Sequence, residues 1–561
     1  MKWLAIGIIL AYMTASIGAQ GVPLVEALGC GNCHGGIKSR PEIKDVTPLL
    51  DQAGIRYEAS YLFDYLQNPR KVRPHLSVVR MPQYNFSPKE AVALVRYFKA
   101  NAHPIGAELG SILFEVRKII SDQELGLGRD LIEKKCSSCH GQRKLAGALN
   151  GLKGRLEQDW VTVMLVDPEL LLGHERMPAL FYQKTNEPDL GYHGLIPGAI
   201  NELAAVVAAL YAAPEGGKGE ATREQKTQKW EQAEALYPKV SAKEGRSVFL
   251  SQNCIACHRV RNEKISARNL APNLGFEGLK VKQAWLKAYL KNPTVIHPFG
   301  FHLGTGSRMP NFNLNKSEIE EITRDLMQLK SIGVGLEEIK KPKKSTPFFN
   351  QKMLSKINHK LACLGCHELN KEGGVVGPSL SGISKRLQTN YLYQVIKDPQ
   401  SIHPESVMPK PFISKKVALE LLRFFTHDTS QKSKFAGPTG VPKLDFTTPF
   451  NKPKLRQGKE LYETYCVFCH GKEGDGKGFN SPYLGGIKPA ALKNKSYLSK
   501  RTDDTIFDAI FRGGGILSKS RLMPAWGGTL SREEIGKLSQ YVRTLCQCKG
   551  PEWSLETTPE P

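Results

Sequence analysis

Ten of the twelve cysteines in this 561-residue chain form pairs with two residues between them, and each pair is followed at once by histidine. The five runs are Cys30-Gly-Asn-Cys33-His34, Cys136-Ser-Ser-Cys139-His140, Cys254-Ile-Ala-Cys257-His258, Cys363-Leu-Gly-Cys366-His367 and Cys466-Val-Phe-Cys469-His470. The whole chain has 14 histidines, so one after all five pairs belongs to the motif. Two cysteines one helical turn apart can form thioethers to the two vinyl groups of a haem, and the next residue then carries its imidazole to the iron. A structural zinc site would group its ligands in fours. A redox dithiol needs no histidine and expects a thioredoxin-like βαβ pattern. The pattern therefore predicts five covalently attached haems c, each holding iron.

A closed haem iron takes a second axial ligand from further along the chain. Of the eight methionines beyond Met1 and Met13, five precede proline, one per motif: Met81-Pro82, Met177-Pro178, Met309-Pro310, Met408-Pro409 and Met523-Pro524. A thioether suits haem iron and raises its reduction potential relative to a second histidine, while the proline fixes the ligand loop. Met164, Met327 and Met353 lack the proline and the register, and read as core filler. Histidine is the rival ligand, since His75, His174, His297, His302 and His403 all lie shortly before a candidate methionine. Four residues on from Pro69, Pro293 and Pro399 stand Arg73, His297 and His403, each followed by proline. Arginine cannot coordinate iron, so that position fits a hydrogen bond to a haem propionate better. His174 and His302 stay open as alternatives.

Short helices have to hold these residues. Tyr61, Trp160, Trp285 and Tyr391 each stand eight residues before Pro69, Pro168, Pro293 and Pro399, and each proline follows Asn68, Asp167, Asn292 or Asp398. Helical spacing that stops at an Asx-Pro pair is how a helix ends before proline. After each methionine comes a terminal helix, with capping boxes at Ser87 to Glu90 and Ser531 to Glu534 and a weaker one at Asn315 to Glu318. No segment shows sustained period-two alternation. The fold expected is all-α, five tandem small helical domains of one haem each, at 20–104, 122–214, 240–332, 350–430 and 452–548. Polar joints are expected near 214–240, 333–350 and 430–455.

These residues resemble the class I c-type cytochrome domain, five times over most of the mature chain. The fifth domain fits best. Gly458 with Tyr462 resembles the family's first-helix packing pair, and Leu538 with Tyr541 its terminal-helix partner. Its run from Cys466 to Gly474-Asp475-Gly476, followed by Met523-Pro524-Ala525-Trp526-Gly527, is similar to cytochrome domains that feed electrons to haem-copper oxidases. The resemblance implies a proline carbonyl accepting from each proximal imidazole, with Pro48, Pro272, Pro378 and Pro482 as the matching positions. The second domain departs, with Gly147-Ala148-Leu149 where the fourth has Gly377-Pro378-Ser379.

Residues 1–19 have a positive charge at Lys2, an apolar stretch and small residues ending at Ala19. They read as an export signal, cleaved after Ala19 or retained as an anchor, and place the chain in the periplasm or otherwise outside the cytoplasm. No later apolar run reaches the length of a bilayer span. The formal charge of +24, reduced by about ten haem propionates, suits acidic redox proteins or a membrane respiratory complex. The lysines are dispersed, which argues against nucleic acid. With all five irons closed, the leading function is an electron relay between a quinol-oxidising complex or small cytochrome and a terminal oxidase or reductase. The alternative is a haem enzyme, a peroxidase or a thiosulfate-oxidising or nitrogen-oxide-reducing cytochrome with one accessible haem. The remaining Cys546 and Cys548 form a C-x-C, compatible with a local disulfide, an intermolecular bridge or no pairing.

Overall fold

The computed structural model describes residues 23–34, 36–41, 43, 47, 50–70, 80–102, 110–119, 124–140, 149, 151–168, 171, 177–181, 198–213, 221–258, 271–298, 308–331, 335–340, 342–404, 406–426 and 457–554. Among them the chain is helical, with a single two-stranded antiparallel ribbon, β1 (Glu368–Leu369) and β2 (Glu372–Gly373). Its contacts define two compact units, the first comprising Met1–Cys33, Lys38–Asn269 and Pro310–Asn313, the second His34–Ile37, Leu270–Met309 and Leu314–Pro561.

Unit 1 carries α1 (Ala59–Gln67), α2 (Pro88–Ala100), α3 (Gly110–Ile119), α4 (Leu125–Lys135), α5 (Gln158–Val166), α6 (Ala199–Ala212), α7 (Arg223–Leu236) and α8 (Ala242–Ser251). α1 and α5 end at Asn68 and Asp167, the Asx residues before proline, as expected. Ser87 caps α2 through the expected box with Glu90. α6 packs on α4 and α3. A Cβ on Gly128 would lie 2.0 Å from the Ala205 carbonyl oxygen, so the bare glycine lets two backbones meet. Leu131, Trp160, Val163, Leu203 and Val207 are buried around this crossing.

The expected joint at 214–240 is a correction. Residues 223–236 form α7, closed by a Thr222–Gln225 capping box, and Trp230 sets its ring edge on Phe63 of α1 at 5.6 Å. Arg96 of α2 donates to the carbonyls of Tyr237 and Pro238 at 3.3 and 3.0 Å. The segment is polar because one narrow stripe meets α1, too little to give an apolar period. α3 was not foreseen either.

Unit 2 carries α9 (Gln283–Lys291), α10 (Lys316–Gln328), α11 (Pro347–His359), α12 (Thr389–Lys397), α13 (Lys415–Thr426), α14 (Gly458–Tyr465), α15 (Asp503–Arg512) and α16 (Arg532–Cys546). Asn315 makes a full capping box with Glu318, and Ser531 one with Glu534. α14 crosses α16 at Gly458, whose Cβ would lie 2.2 Å from the Lys537 carbonyl oxygen. The Tyr462 and Tyr541 rings meet there at 5.4 Å, and Leu538 is fully buried. Thus the residues singled out for the fifth domain do pack together. No helix among the described residues is long and apolar enough to cross a membrane, and residues 1–19 lie outside them.

Candidate functional site

Each motif is a tight helical turn. Cys30–Asn32, Cys254–Ala256 and Cys363–Gly365 are 3-10 turns, and Ser137–His140 and Val467–His470 are single α-turns. The histidine amide bonds back to the carbonyl of the first cysteine in four of them, at 2.8 Å for His140, 2.9 Å for His258 and His367 and 3.0 Å for His470.

The rings are aimed by backbone. His367 Nδ1 faces the Pro378 carbonyl at 2.7 Å, as the family resemblance implied. His470 instead faces the Ala490 carbonyl at 2.9 Å, so Pro482 does not take that part. The correction has a cause: Ser481–Tyr483 is a 3-10 turn, and the chain returns to the ring only at Pro489-Ala490. His34 faces the carbonyl of Pro272 at 2.9 Å. Pro48 lies outside the described residues, as do Arg73, His75, Gly147, Ala148, His174 and His302, and the placement of the Cys139 side chain is also outside the description. In each observed case the Nδ1–H donates to a carbonyl, which leaves Nε2 to meet a metal. A Cβ on Gly377 would sit 2.4 Å from His367 Cε1, so this imidazole rests on bare backbone.

Burial holds the imidazoles of His34, His367 and His470 below the usual histidine range, keeping them neutral as iron ligands must be. Burial also pushes the thiols of Cys30, Cys33, Cys254, Cys366 and Cys466 up to about 12 and that of Cys363 to about 11. Such thiols are protonated and poor metal ligands, yet thioether formation suits a buried sulfur because it removes the ionisation. The described residues contain no cluster of three or more His, Cys, Asp or Glu side chains fit to hold a bare metal ion.

The five Met-Pro methionines are all half-buried. Met523 packs against the apolar core around α14 and α16, and Met177 against that around α4 and α6. Their loops are braced: Gln400 Nε2 donates to the Met408 carbonyl at 2.6 Å, and the Gly514 amide donates to the Met523 carbonyl at 3.2 Å. Met353 is fully buried, as expected of filler. The Tyr391 hydroxyl lies 2.6 Å from His403 Nε2. His297 is half-buried near Arg386, Lys280, His367 and His403, and its pKa falls to about 3 through desolvation first and then the neighbouring Arg386 and Lys280. Arg386 and Lys280 are the two cations there, and they suit an anion such as a haem propionate.

The motifs also come together in pairs, which the sequence reading missed. In unit 1, Asn32 Nδ2 donates to the Ala256 carbonyl at 3.1 Å and Asn253 Nδ2 to Cys33 Sγ at 3.6 Å. In unit 2, buried Asn480 donates to the Gly365 carbonyl at 2.8 Å and to Cys469 Sγ at 3.3 Å, and accepts from the Val375 amide at 2.8 Å. Asn32 within the first motif and Asn253 beside the third were the available signal in unit 1, whereas Asn480 stands eleven residues past Cys469. Cys546 and Cys548 are bonded to each other, their Cα atoms 5.2 Å apart.

Two family models match the chain: cytochrome c at residues 242–330, and the cbb3-type cytochrome c oxidase subunit III model at 453–542. Cytochrome c-554(547) of Halothiobacillus neapolitanus is 31% identical over 88 residues, 16% of this chain and 92% of that protein. The cbb3-type cytochrome c oxidase subunit FixP of Azorhizobium caulinodans is 32% identical over 105 residues, 19% of this chain. The chain covers 32% of FixP's length. No solved structure matches the chain at a significant level. The chain belongs to the c-type cytochromes, whose domains hold haem c covalently.

Proposed function

We propose that the chain is an exported pentahaem cytochrome that relays single electrons between a donor, a quinol-oxidising complex or a small cytochrome, and an acceptor, a terminal oxidase or reductase. Cys30 and Cys33, Cys136 and Cys139, Cys254 and Cys257, Cys363 and Cys366, and Cys466 and Cys469 attach the haems. His34, His140, His258, His367 and His470 are the proximal ligands, and Met81, Met177, Met309, Met408 and Met523 the distal ones. Haem iron changes oxidation state by one electron, and filled axial positions leave no place for substrate. The chain's own residues orient each imidazole by a carbonyl, bury the sulfurs and brace the methionine loops.

The observation that carries this reading is the pairing of motifs through Asn480 in unit 2, and through Asn32 and Asn253 in unit 1. Motifs in hydrogen-bonding contact bring thioether-bearing haem edges close, which a relay needs and independent binding sites do not. The fifth domain is the docking port for an acidic partner, in keeping with the oxidase subunit its segment resembles. Exposed Ile487 and Ile516 stand among exposed Lys488, Lys493, Lys495, Lys500 and Lys519. Haemochrome assay with intact mass tests the count: five haems are expected, and four or fewer in a fully matured preparation overturns it. Spectropotentiometry should resolve Met-ligated, high-potential haems.

A further inference from the structure

The helix crossing that builds a haem domain here has one recurring geometry. In the fifth domain Gly458 of α14 meets Lys537 and Tyr541 of α16, four residues apart, and the Tyr462 ring tilts against that of Tyr541. In the second, Gly128 of α4 meets Ala205 and Ala209 of α6, again four apart. Both crossings join the first and last helix of one domain. Gly245 of α8 makes the same crossing, its Cβ position 1.9 Å from the Ala93 carbonyl oxygen and 2.6 Å from Tyr97 Cβ. Phe249, four residues on, meets the Tyr97 ring at 5.4 Å. Here, however, α8 precedes the third motif, whereas α2 follows the first.

The amino-acid register agrees. Ten residues after their N-caps, α2 presents Tyr97 and α16 presents Tyr541, but α10, the third domain's own last helix, presents Asp325. A carboxylate there cannot meet fully buried Phe249 without losing its solvation. The loops after the motifs follow the same rule. In the fourth domain the Gly377 amide donates to the Cys366 carbonyl at 2.7 Å and the next residue, Pro378, accepts from His367. In unit 1 Thr47 Oγ1 donates to the Cys257 carbonyl at 2.6 Å, and Pro48 is the next residue. In unit 2 His34 takes Pro272, not a proline of its own domain. Gly36 also meets Gly275 there, a Cβ on it lying 2.2 Å from the Gly275 amide nitrogen.

We propose that the first and third haem domains are built from exchanged halves, so that the first motif's iron is ligated by His34 and Met309, and the third motif's by His258 and Met81. This rests on the Met-ligand reading above. Each methionine stands six residues before the N-cap of its terminal helix, Met81 before Ser87 and Met309 before Asn315. It therefore travels with that helix. Met81 goes with α2, which crosses the helix leading into Cys254, and Met309 lies in the same unit as His34 and Pro272.

The test uses epistasis in the full chain. Cys254→Ala/Cys257→Ala removes the third haem, and Cys30→Ala/Cys33→Ala the first. Each is combined with Met81→Ala or Met309→Ala, and the weak ferric sulfur-to-iron charge-transfer band is read. Exchange predicts that the chain without the third haem loses one haem's share of the band with Met309→Ala and nothing with Met81→Ala, and that the chain without the first haem does the reverse. The opposite pattern overturns the exchange and leaves Met ligation standing. If neither methionine variant changes the band in the five-haem chain, Met ligation fails and the exchange with it. Should a haem-deleted chain not mature, hydrogen exchange on the five-haem protein decides. Met81→Ala should speed amide exchange severalfold in 242–258 and leave 24–34 unchanged, and faster exchange confined to 24–34 overturns the proposal.

Discussion

Gly128→Ala and Gly126→Ala place the same methyl on the same helix two residues apart, and the structure gives them opposite signs. At Gly128 the new Cβ would lie 2.0 Å from the Ala205 carbonyl oxygen and 2.8 Å from Ala209 Cβ, whereas at Gly126 nothing lies within 4 Å. A tolerated contact is about 3.2 Å or more, so α4 and α6 must part by roughly 1 Å, a gap that forfeits about a quarter to a half of each dispersion contact across it. Leu131, Leu203 and Val207 line that crossing. Overpacking of this kind costs about 1–3 kcal/mol, while replacing glycine inside a helix returns up to about 1 kcal/mol. The difference leaves up to about 2 kcal/mol, so Gly128→Ala should raise the open fraction of this crossing by up to about 30-fold, and Gly126→Ala should leave it unchanged or lower it. Because a chain of several domains does not unfold in two states, the assay is hydrogen exchange read by mass spectrometry over 125–135 and 199–212. Equal shifts in one direction would refute the close-approach argument.

Three further outcomes follow from particular contacts. Gly377→Ala drives a methyl into the His367 ring, 2.4 Å from Cε1, and should lower the midpoint potential of one haem or loosen its ligation, seen by spectropotentiometry. Asn480→Ala orphans the Val375 amide and the Gly365 carbonyl; at about 1–3 kcal/mol for a buried polar group left unpaired, it should deprotect 363–376 by about tenfold in hydrogen exchange and alter electron coupling between the haems proposed for these two motifs. Charge reversal at Lys493, Lys495 and Lys500 should slow association with an acidic redox partner in stopped-flow measurements and flatten its salt dependence, leaving internal haem-to-haem steps unchanged. Equal loss from reversing lysines of the first domain would reject the port.

Chemistry and helix ends were legible because both depend on neighbours in sequence. The C-x-x-C-H turns, the Asx-Pro stops and the capping boxes at Ser87, Asn315 and Ser531 are decided within a few residues, and they stand where expected. The expected Gly458 and Tyr462 packing on α16 also holds, since first and last helices there belong to one domain. What local pattern could not report was which partner a helix chooses. α7 looked like a joint because only Trp230 and a few neighbours face α1. Pro482 looked like the acceptor for His470, yet the longer loop of the fifth domain delivers Ala490. The choice of Tyr97 for Phe249 was written in the sequence as a register, with Asp325 in the competing position, but it becomes readable only once α2 and α8 are seen to cross.

The bond from His34 to Pro272 spans 238 residues, against 11 for His367 to Pro378. Loop-closure entropy grows as three-halves RT times the logarithm of length, so the longer closure costs about 2.7 kcal/mol more. On a chain that emerges from its N-terminus, His34 thus waits longest for its carbonyl among the three imidazoles whose acceptor is seen. The first imidazole is without that acceptor until residue 272 has followed it. Order of synthesis and order of completion are uncoupled. A chain interrupted before that residue lacks the acceptor for its first imidazole while holding the whole α4–α6 crossing.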